Sequence, residues 1–169
     1  MGRLIATIIW TCTAFFAGAL PFSVWVGRLA LDADIRAYGD GNPGATNVLR
    51  AGGKGWAFVA AFLDMLKGAL PVAVAYVMVG IQDARIVPIA LAPLLGHVYS
   101  PFLKGRGGKG VAVTGGIWIG LTRGIGGGIG TLGLTLGTLL QDGSGWSALI
   151  GLLCIGGYLA LFDLDPVLV

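Results

Sequence analysis

Leu4-Ile5-Ala6-Thr7-Ile8-Ile9-Trp10-Thr11-Cys12-Thr13-Ala14-Phe15-Phe16-Ala17-Gly18-Ala19-Leu20-Pro21-Phe22-Ser23-Val24-Trp25-Val26 runs for 23 residues without a charge. At about 1.5 Å of helix rise per residue, that length crosses the roughly 30 Å hydrocarbon core of a bilayer. Arg3, the apolar run and Ala17-Gly18-Ala19 imitate a secretory leader. Such a leader carries only about 7–15 apolar residues, however, so the segment is expected to remain as a membrane span. Working outward, 55–79 is a second run, interrupted only by Asp64 and Lys67, and 86–102 is a third. The stretch from Gly110 is too long for one crossing and predicts two, 110–122 and 125–140, parted at Arg123-Gly124. The last run is 146–162. The expectation is an all-α polytopic membrane helix bundle, one domain over 1–169 with about six transmembrane segments.

Composition agrees. Only 11% of the residues are charged, 56% are hydrophobic and the mean hydropathy is +0.86. A soluble domain carries about a quarter of its residues charged. All eight acidic residues are aspartate, so any carboxylate chemistry falls to Asp. The net charge of +3 is small and locally concentrated, which fits an anionic lipid or phosphate better than nucleic acid. Cys12 and Cys154 lie in apolar runs without paired or metal-like spacing and read as packing or lipid-facing residues.

The charges also set an orientation. With the N-terminus outside, loops 27–54 and 103–109 face the cytoplasm and hold Arg28, Arg36, Arg50, Lys54, Lys104, Arg106 and Lys109. The other side holds Arg3, Arg85 and Arg123. Seven cations against three is a positive-inside bias, and it puts both polar loops on one side of the membrane. Between 107 and 140, thirteen of 34 residues are glycine, interleaved with Ile, Leu, Val and Trp. Small residues let membrane helices pack backbone to backbone.

Chemistry concentrates in the polar loops. The chain's only two asparagines, Asn42 and Asn47, fall in Asp40-Gly41-Asn42-Pro43-Gly44-Ala45-Thr46-Asn47-Val48-Leu49-Arg50. Gly41 and Gly44 allow positive φ or close ligand approach, and Arg50 can grip a phosphate through two parallel bonds. Gly52-Gly53-Lys54-Gly55 and Gly107-Gly108-Lys109-Gly110 echo one another, each just before an apolar helix. Glycine amides, a helix N-terminus and a lysine suit an anion. Gly110 stands where a Walker A loop needs Ser or Thr, so a nucleotide loop is excluded. The second copy, preceded by Lys104-Gly105-Arg106, is the stronger anion site, and the first reads as a basic turn. Asp64 and Lys67, three residues apart on one helical face, can pair. They serve either as a neutral pair holding helices together or as a polar wall of a substrate cavity. His97, the only histidine, stands a few residues before the basic loop and is a candidate for catalysis or binding.

Residues 41–50, together with Leu20-Pro21-Phe22, Leu63-Asp64-Met65-Leu66-Lys67-Gly68, Leu95-Gly96-His97, Pro101-Phe102-Leu103 and 104–112, resemble the motifs of the bacterial acyl-phosphate:glycerol-3-phosphate acyltransferases, the PlsY type. The likeness covers roughly residues 14 to 121, in order. It implies a multi-pass membrane enzyme that moves a fatty acyl group from acyl phosphate to the 1-hydroxyl of glycerol 3-phosphate. The products are lysophosphatidic acid and phosphate, no metal or other cofactor takes part, and the site faces the cytoplasm. Asn42, Thr46, Asn47 and Arg50 match the essential polar residues of the family's first motif, with His97 and Asp40 as candidate proton acceptors. Gly107, Gly108 and Lys109 match its phosphate loop, to which Gly41, Gly44, Lys104, Arg106 and Gly110 add further candidate contacts.

The chain departs from the family in two places. Asp40 replaces the usual Ser before Gly-Asn, and a carboxylate beside two phosphates repels them unless it acts as a base or pairs with a cation. After residue 121 no counterpart is found of the family's late motif of His, Asn, Arg and Glu; the polar residues there are Gln141-Asp142-Gly143-Ser144-Gly145. The alternatives are a diverged, inactive relative that binds lipid or phosphate, or a small transporter.

Overall fold

A computed structural model of the chain describes residues 1–140 and 144–162, with 135, 137–140, 144–148 and 162 as backbone only. Gln141-Asp142-Gly143 of the late polar segment lies outside the described residues. The described residues are helical, without a strand. In chain order the helices are α1 Gly2–Ala19, α2 Phe22–Leu31, α3 Ala45–Arg50, α4 Lys54–Ala73, α5 Ile86–Val98, α6 Val111–Leu121, α7 Ile125–Leu140 and α8 Ser144–Phe162. Two short 3-10 turns, Ile35–Ala37 and Pro101–Leu103, sit in the polar loops, and α4 widens into a π turn over Val74–Met78.

The opening run 4–26 is two helices rather than one. Residues before proline are pushed out of the helical region, and Leu20, before Pro21, is extended at φ −60°, ψ 124°. A break at membrane depth leaves carbonyls without partners, which must be satisfied inside the protein. Two side chains do so. Ser100 Oγ donates to the Ala19 carbonyl at 2.6 Å, and Lys67 Nζ donates to the Leu20 carbonyl at 2.6 Å. Lys67 Nζ also lies 2.7 Å from Asp64 Oδ1, while Ser23 Oγ donates to Asp64 Oδ2 at 2.5 Å. Asp64 and Lys67 thus clamp α4 to the broken helix.

Helices pair as α1 with α5, α4 with α6, and α7 with α8. Glycines set the closest approaches. A methyl group on Gly96 would strike the Phe15 carbonyl on α1, and one on Gly116 would strike the Met65 carbonyl on α4. On α7, one on Gly130 would run into Ile155 of α8. Such packing does in lipid what burial does in water. The core between α1, α4, α5 and α6 includes Ala14, Val72, Ile86, Ile89, Val113 and Ile117. Leucine, isoleucine and phenylalanine side chains such as Leu4, Ile8, Phe58, Leu91 and Leu132 stay exposed around it. Residues 2–31, 54–78 and 86–103 are each long and apolar enough to cross a membrane.

A smaller core carries the polar loops. Val24 of α2, Ile35, Val48 of α3 and Ala60 of α4 are buried together. Asp34 starts the first 3-10 turn by accepting from the Arg36 amide at 3.1 Å and gripping its guanidinium at 2.9 and 2.6 Å. Arg36 holds the Asp34 carboxyl well below the usual carboxylate range. With Ile35 and Val48 anchored, the chain between them, 36–47, stands on a fixed base. At the other end of the bundle Arg85 holds Asp83 down to about 2, and Arg3 adds to the effect.

Candidate anion site where the two polar loops meet

The two polar loops, separated by more than sixty residues, are joined by side chains. Asn42 Oδ1 accepts from the Lys109 amide at 3.1 Å, and Lys109 Nζ lies 2.8 Å from Asp40 Oδ2. The other carboxylate oxygen, Asp40 Oδ1, accepts from Asn47 Nδ2 at 3.1 Å and from the Asn42 amide at 3.2 Å. Arg50 Nη1 is 3.7 Å from Asp40 Oδ1 and donates to Asn47 Oδ1 at 3.0 Å. Asn47 also donates to the Asn42 carbonyl at 2.9 Å. Asp40, Asn42, Asn47, Arg50 and Lys109 therefore form one cluster with the carboxylate at its centre. Lys109 above all, then the Asn42 amide, holds the Asp40 carboxyl well below the usual range.

The local backbone explains the gathering. Val48 is buried in the smaller core, so α3 presents buried Asn47 on one side and half-exposed Arg50 one turn on. Gly39 has φ +55°, and a methyl group there would strike the Arg50 guanidinium. Glycine at that point lets the arginine lie across the loop.

The glycines of the second loop serve a different purpose from the one their spacing suggests. The Gly107 amide donates to the Val98 carbonyl at 3.0 Å and the Gly108 amide to the His97 carbonyl at 3.2 Å. Both amides are engaged inside the protein. A methyl group on Gly107 would overlap the His97 carbonyl, and one on Gly108 the His97 ring. These glycines let the loop lie flat on the end of α5, with His97 buried beneath it. Gly110, at φ +78°, turns the chain into α6. The 107–108 amides are thus spoken for, while Lys109 Nζ reaches the Asp40 carboxylate.

The remaining candidates separate. Lys104 and Arg106, with Arg28, Asp34, Arg36 and Gly41, line a cavity of about 1170 Å³ that Lys109 does not border. The lining also includes the apolar side chains of Val24, Trp25 and Phe102. Lys104 closes the second 3-10 turn in the left-handed region at φ +55°. Thr46 is exposed on the first turn of α3, and Gly44 caps that helix in extended conformation. Asp64 and Lys67 line none of this cavity; both are buried in the clamp described above. Sequence reasoning missed Ser23 and Ser100, whose hydroxyls in apolar surroundings carry no periodic signal. Pro21 was the one clue, since a helix broken in a membrane needs such donors. Among the described residues no group of His, Cys and Asp gathers to hold a metal ion.

An all-helical chain with long apolar helices, whose two basic loops lock together around the Asp40 carboxylate, defines a polytopic membrane protein. The chain belongs to the glycerol-3-phosphate acyltransferase family, whose model, described as "Glycerol-3-phosphate acyltransferase", matches residues 8–169. A protein of that name from Ralstonia nicotianae is 36% identical over 171 residues, covering 98% of this chain and 82% of its own length. One from Shewanella oneidensis is 47% identical over 112 residues, 66% of this chain and 55% of its own length. The chain thus spans about half the length of its Shewanella relatives. The fold is similar to a crystal structure of PlsY, an integral membrane glycerol 3-phosphate acyltransferase, in its glycerol 3-phosphate form. The TM-score is 0.84 at 28% identity, over 96% of this chain and 82% of that one. The lysophosphatidic acid form of PlsY matches with a TM-score of 0.82 at 27% identity, over 96% of this chain and 81% of that one. The protein is accordingly a multi-pass integral membrane protein.

Proposed function

We propose that the protein transfers a fatty acyl group from acyl phosphate to the 1-hydroxyl of glycerol 3-phosphate, giving lysophosphatidic acid and inorganic phosphate. One observation carries the reading: Asn42, Asn47 and Lys109, drawn from two distant loops, hydrogen-bond a single carboxylate, with the Arg50 guanidinium 3.7 Å from it. The relatives named as glycerol-3-phosphate acyltransferases and the two ligand forms of PlsY support it.

Acyl phosphate is already activated, so the protein needs only to position and to stabilise charge. The hydroxyl oxygen attacks the acyl carbonyl carbon, and the bond from that carbon to the phosphate oxygen breaks. Phosphate departs with the electron pair, and the hydroxyl proton passes to a phosphate oxygen or to His97. Asp40 is the weaker choice of base, because Lys109 favours its ionised form. Arg50 and Lys109 hold the phosphates, while Asn42, Thr46 and Asn47 orient hydroxyl and carbonyl. The cavity, whose lining mixes Arg28, Lys104 and Arg106 with Asp34, Trp25 and Phe102, would take the phosphate and chain of the acyl donor.

The same reading puts the N-terminus outside and the polar loops, 27–54 and 103–109, in the cytoplasm, with crossings near 4–26, 55–79, 86–102, 110–122, 125–140 and 146–162. The seven-to-three distribution of cations supports this orientation.

The test is an acyl-transfer assay on purified protein in detergent with acyl phosphate and glycerol 3-phosphate. Lysophosphatidate and phosphate should appear together. Their absence, with phosphate ligands still bound, would leave only a binding protein. In the same assay Arg50→Lys should lower turnover at least about tenfold, because the planar two-pronged grip is lost. Near-normal turnover would remove Arg50 from the site.

A further inference from the structure

We propose that Asp40 is a built-in anion occupying the phosphate position of this site, so that a phosphate monoester binds by displacing it. The inference rests on the phosphate-site reading above and adds what fills the site before the ligand arrives. Donors from both loops converge on the one carboxylate: Lys109 Nζ at 2.8 Å, Asn47 Nδ2 at 3.1 Å, the Asn42 amide at 3.2 Å and the Arg50 guanidinium at 3.7 Å. An ammonium, an amide, a backbone N–H and a guanidinium are the groups that hold phosphate oxygens. Here their common partner is a side chain of the protein itself.

The geometry also lets the carboxylate leave. Asp40 stands between two glycines in the left-handed region, Gly39 at φ +55° and Gly41 at φ +72°, so no neighbouring side chain confines its rotation. The donors around it are better fixed. Asn47 is buried beside Val48, and the Lys109 backbone is tied to Asn42. The Asp40 side chain is 45% exposed and that of Lys109 is 56% exposed, so water replaces the pair at little cost. A phosphate monoester brings more charge and a third oxygen, and it repels the carboxylate it replaces. Asp40 thereby sets the affinity of the site, since every ligand must first overcome its internal competitor.

The experiment is titration calorimetry of the full chain in detergent with glycerol 3-phosphate and with inorganic phosphate. Wild type is compared with Asp40→Asn, Asp40→Ser and Asp40→Glu, and with Asp83→Asn at the far end of the bundle as control. Removing the charge should tighten binding of both ligands about three- to tenfold, while Asp40→Glu and the control should not tighten it. A second measurement keeps to the wild type. The Asp40 carboxyl, followed by carbon NMR with labelled aspartate, should move to a free, solvated shift as glycerol 3-phosphate saturates the protein. Weaker or unchanged binding in Asp40→Asn and Asp40→Ser, or an Asp40 resonance that stays put, overturns the proposal while leaving the phosphate site standing. If neither ligand binds wild type or any variant, both readings fall.

Discussion

Two aspartate–lysine pairs of nearly equal length do opposite work. Asp64 and Lys67 lie 2.7 Å apart with side chains 4% and 2% exposed, and Asp40 and Lys109 lie 2.8 Å apart at 45% and 56%. Inside the bundle the two charges face each other, although Asp64 Oδ1 has the ion pair with Lys67 and no hydrogen bond. Ser23 answers the free carboxylate oxygen, and the carbonyl released by the Leu20 break answers the ammonium. At the loop the same pair is open to water, and its neighbours are further donors rather than walls. Distance alone therefore says little about what an ion pair is for. What surrounds it decides whether it is a clamp or a site.

Removing one half of the clamp should produce the largest effect. Lys67→Ala leaves the Asp64 carboxylate and the Leu20 carbonyl without their cation in a dry interior, and breaking a buried pair in this way costs about 3–5 kcal/mol. Thermal denaturation in detergent should show it as a severe loss of folded protein. The double variant Asp64→Leu/Lys67→Met should recover part of that loss, because no lone charge remains. A Lys67→Ala protein as stable as wild type would mean that the pair is solvated, and the contrast between the two pairs would collapse.

A methyl group on Gly107 comes next. The exposed cluster depends on where the backbone carries Lys109, and that path lies against the His97 carbonyl. Gly107→Ala forces the two apart and should cost about 1–3 kcal/mol of stability. It should also disconnect Lys109 from Asn42, weakening glycerol 3-phosphate binding in calorimetry. If binding and stability survive, the loop has another way to seat Lys109, and the fixed-donor half of the comparison fails.

Part of this was legible in the chain. Long uncharged runs announce membrane helices, and two asparagines in one short loop of an apolar protein are hard to explain as filler. The echo of Gly107-Gly108-Lys109-Gly110 pointed to the loop whose Lys109 joins the Asp40 cluster. The direction of each side chain was not legible. Lys104, Arg106 and Lys109 are neighbours in sequence, but the folded loop divides them between the cavity and the Asp40 cluster. Glycines that look like an anion cradle instead clear room for His97, because spacing cannot tell ligand approach from backbone approach. Asp64 and Lys67 were visible as a pair, yet their role turned on Ser23 and on the helix break at Leu20, two features of the folded chain.

Acid offers a gentler way to open the exposed pair. The Asp40 carboxyl is held below its ordinary value, so its contact with Lys109 is fully formed above the unfolded value of about 3.9. The contact is lost only as pH falls through the lower folded value. Carbon NMR of labelled aspartate should accordingly show no titration of Asp40 between about pH 7 and pH 4. A step in that window would mean that Lys109 and Asn47 do not hold the carboxylate, and that the cluster is looser than its distances imply.

The smallest effect is expected where exposure is joined to isolation. Arg85 Nη2 lies 2.7 Å from Asp83 Oδ2, as close as the buried pair, with side chains 31% and 55% exposed. The contact is between near neighbours in sequence, and water can replace each partner. Asp83→Asn should leave the melting temperature and acyl-transfer rate indistinguishable from wild type. The pair shares the short distance of the clamp and the exposure of the loop cluster, but it has no dry wall, and its hydrogen-bond donors all come from one neighbouring residue. A measurable loss would show that ion pairs at the ends of this bundle stabilise it by themselves. The Asp40 cluster would then need no ligand to account for it.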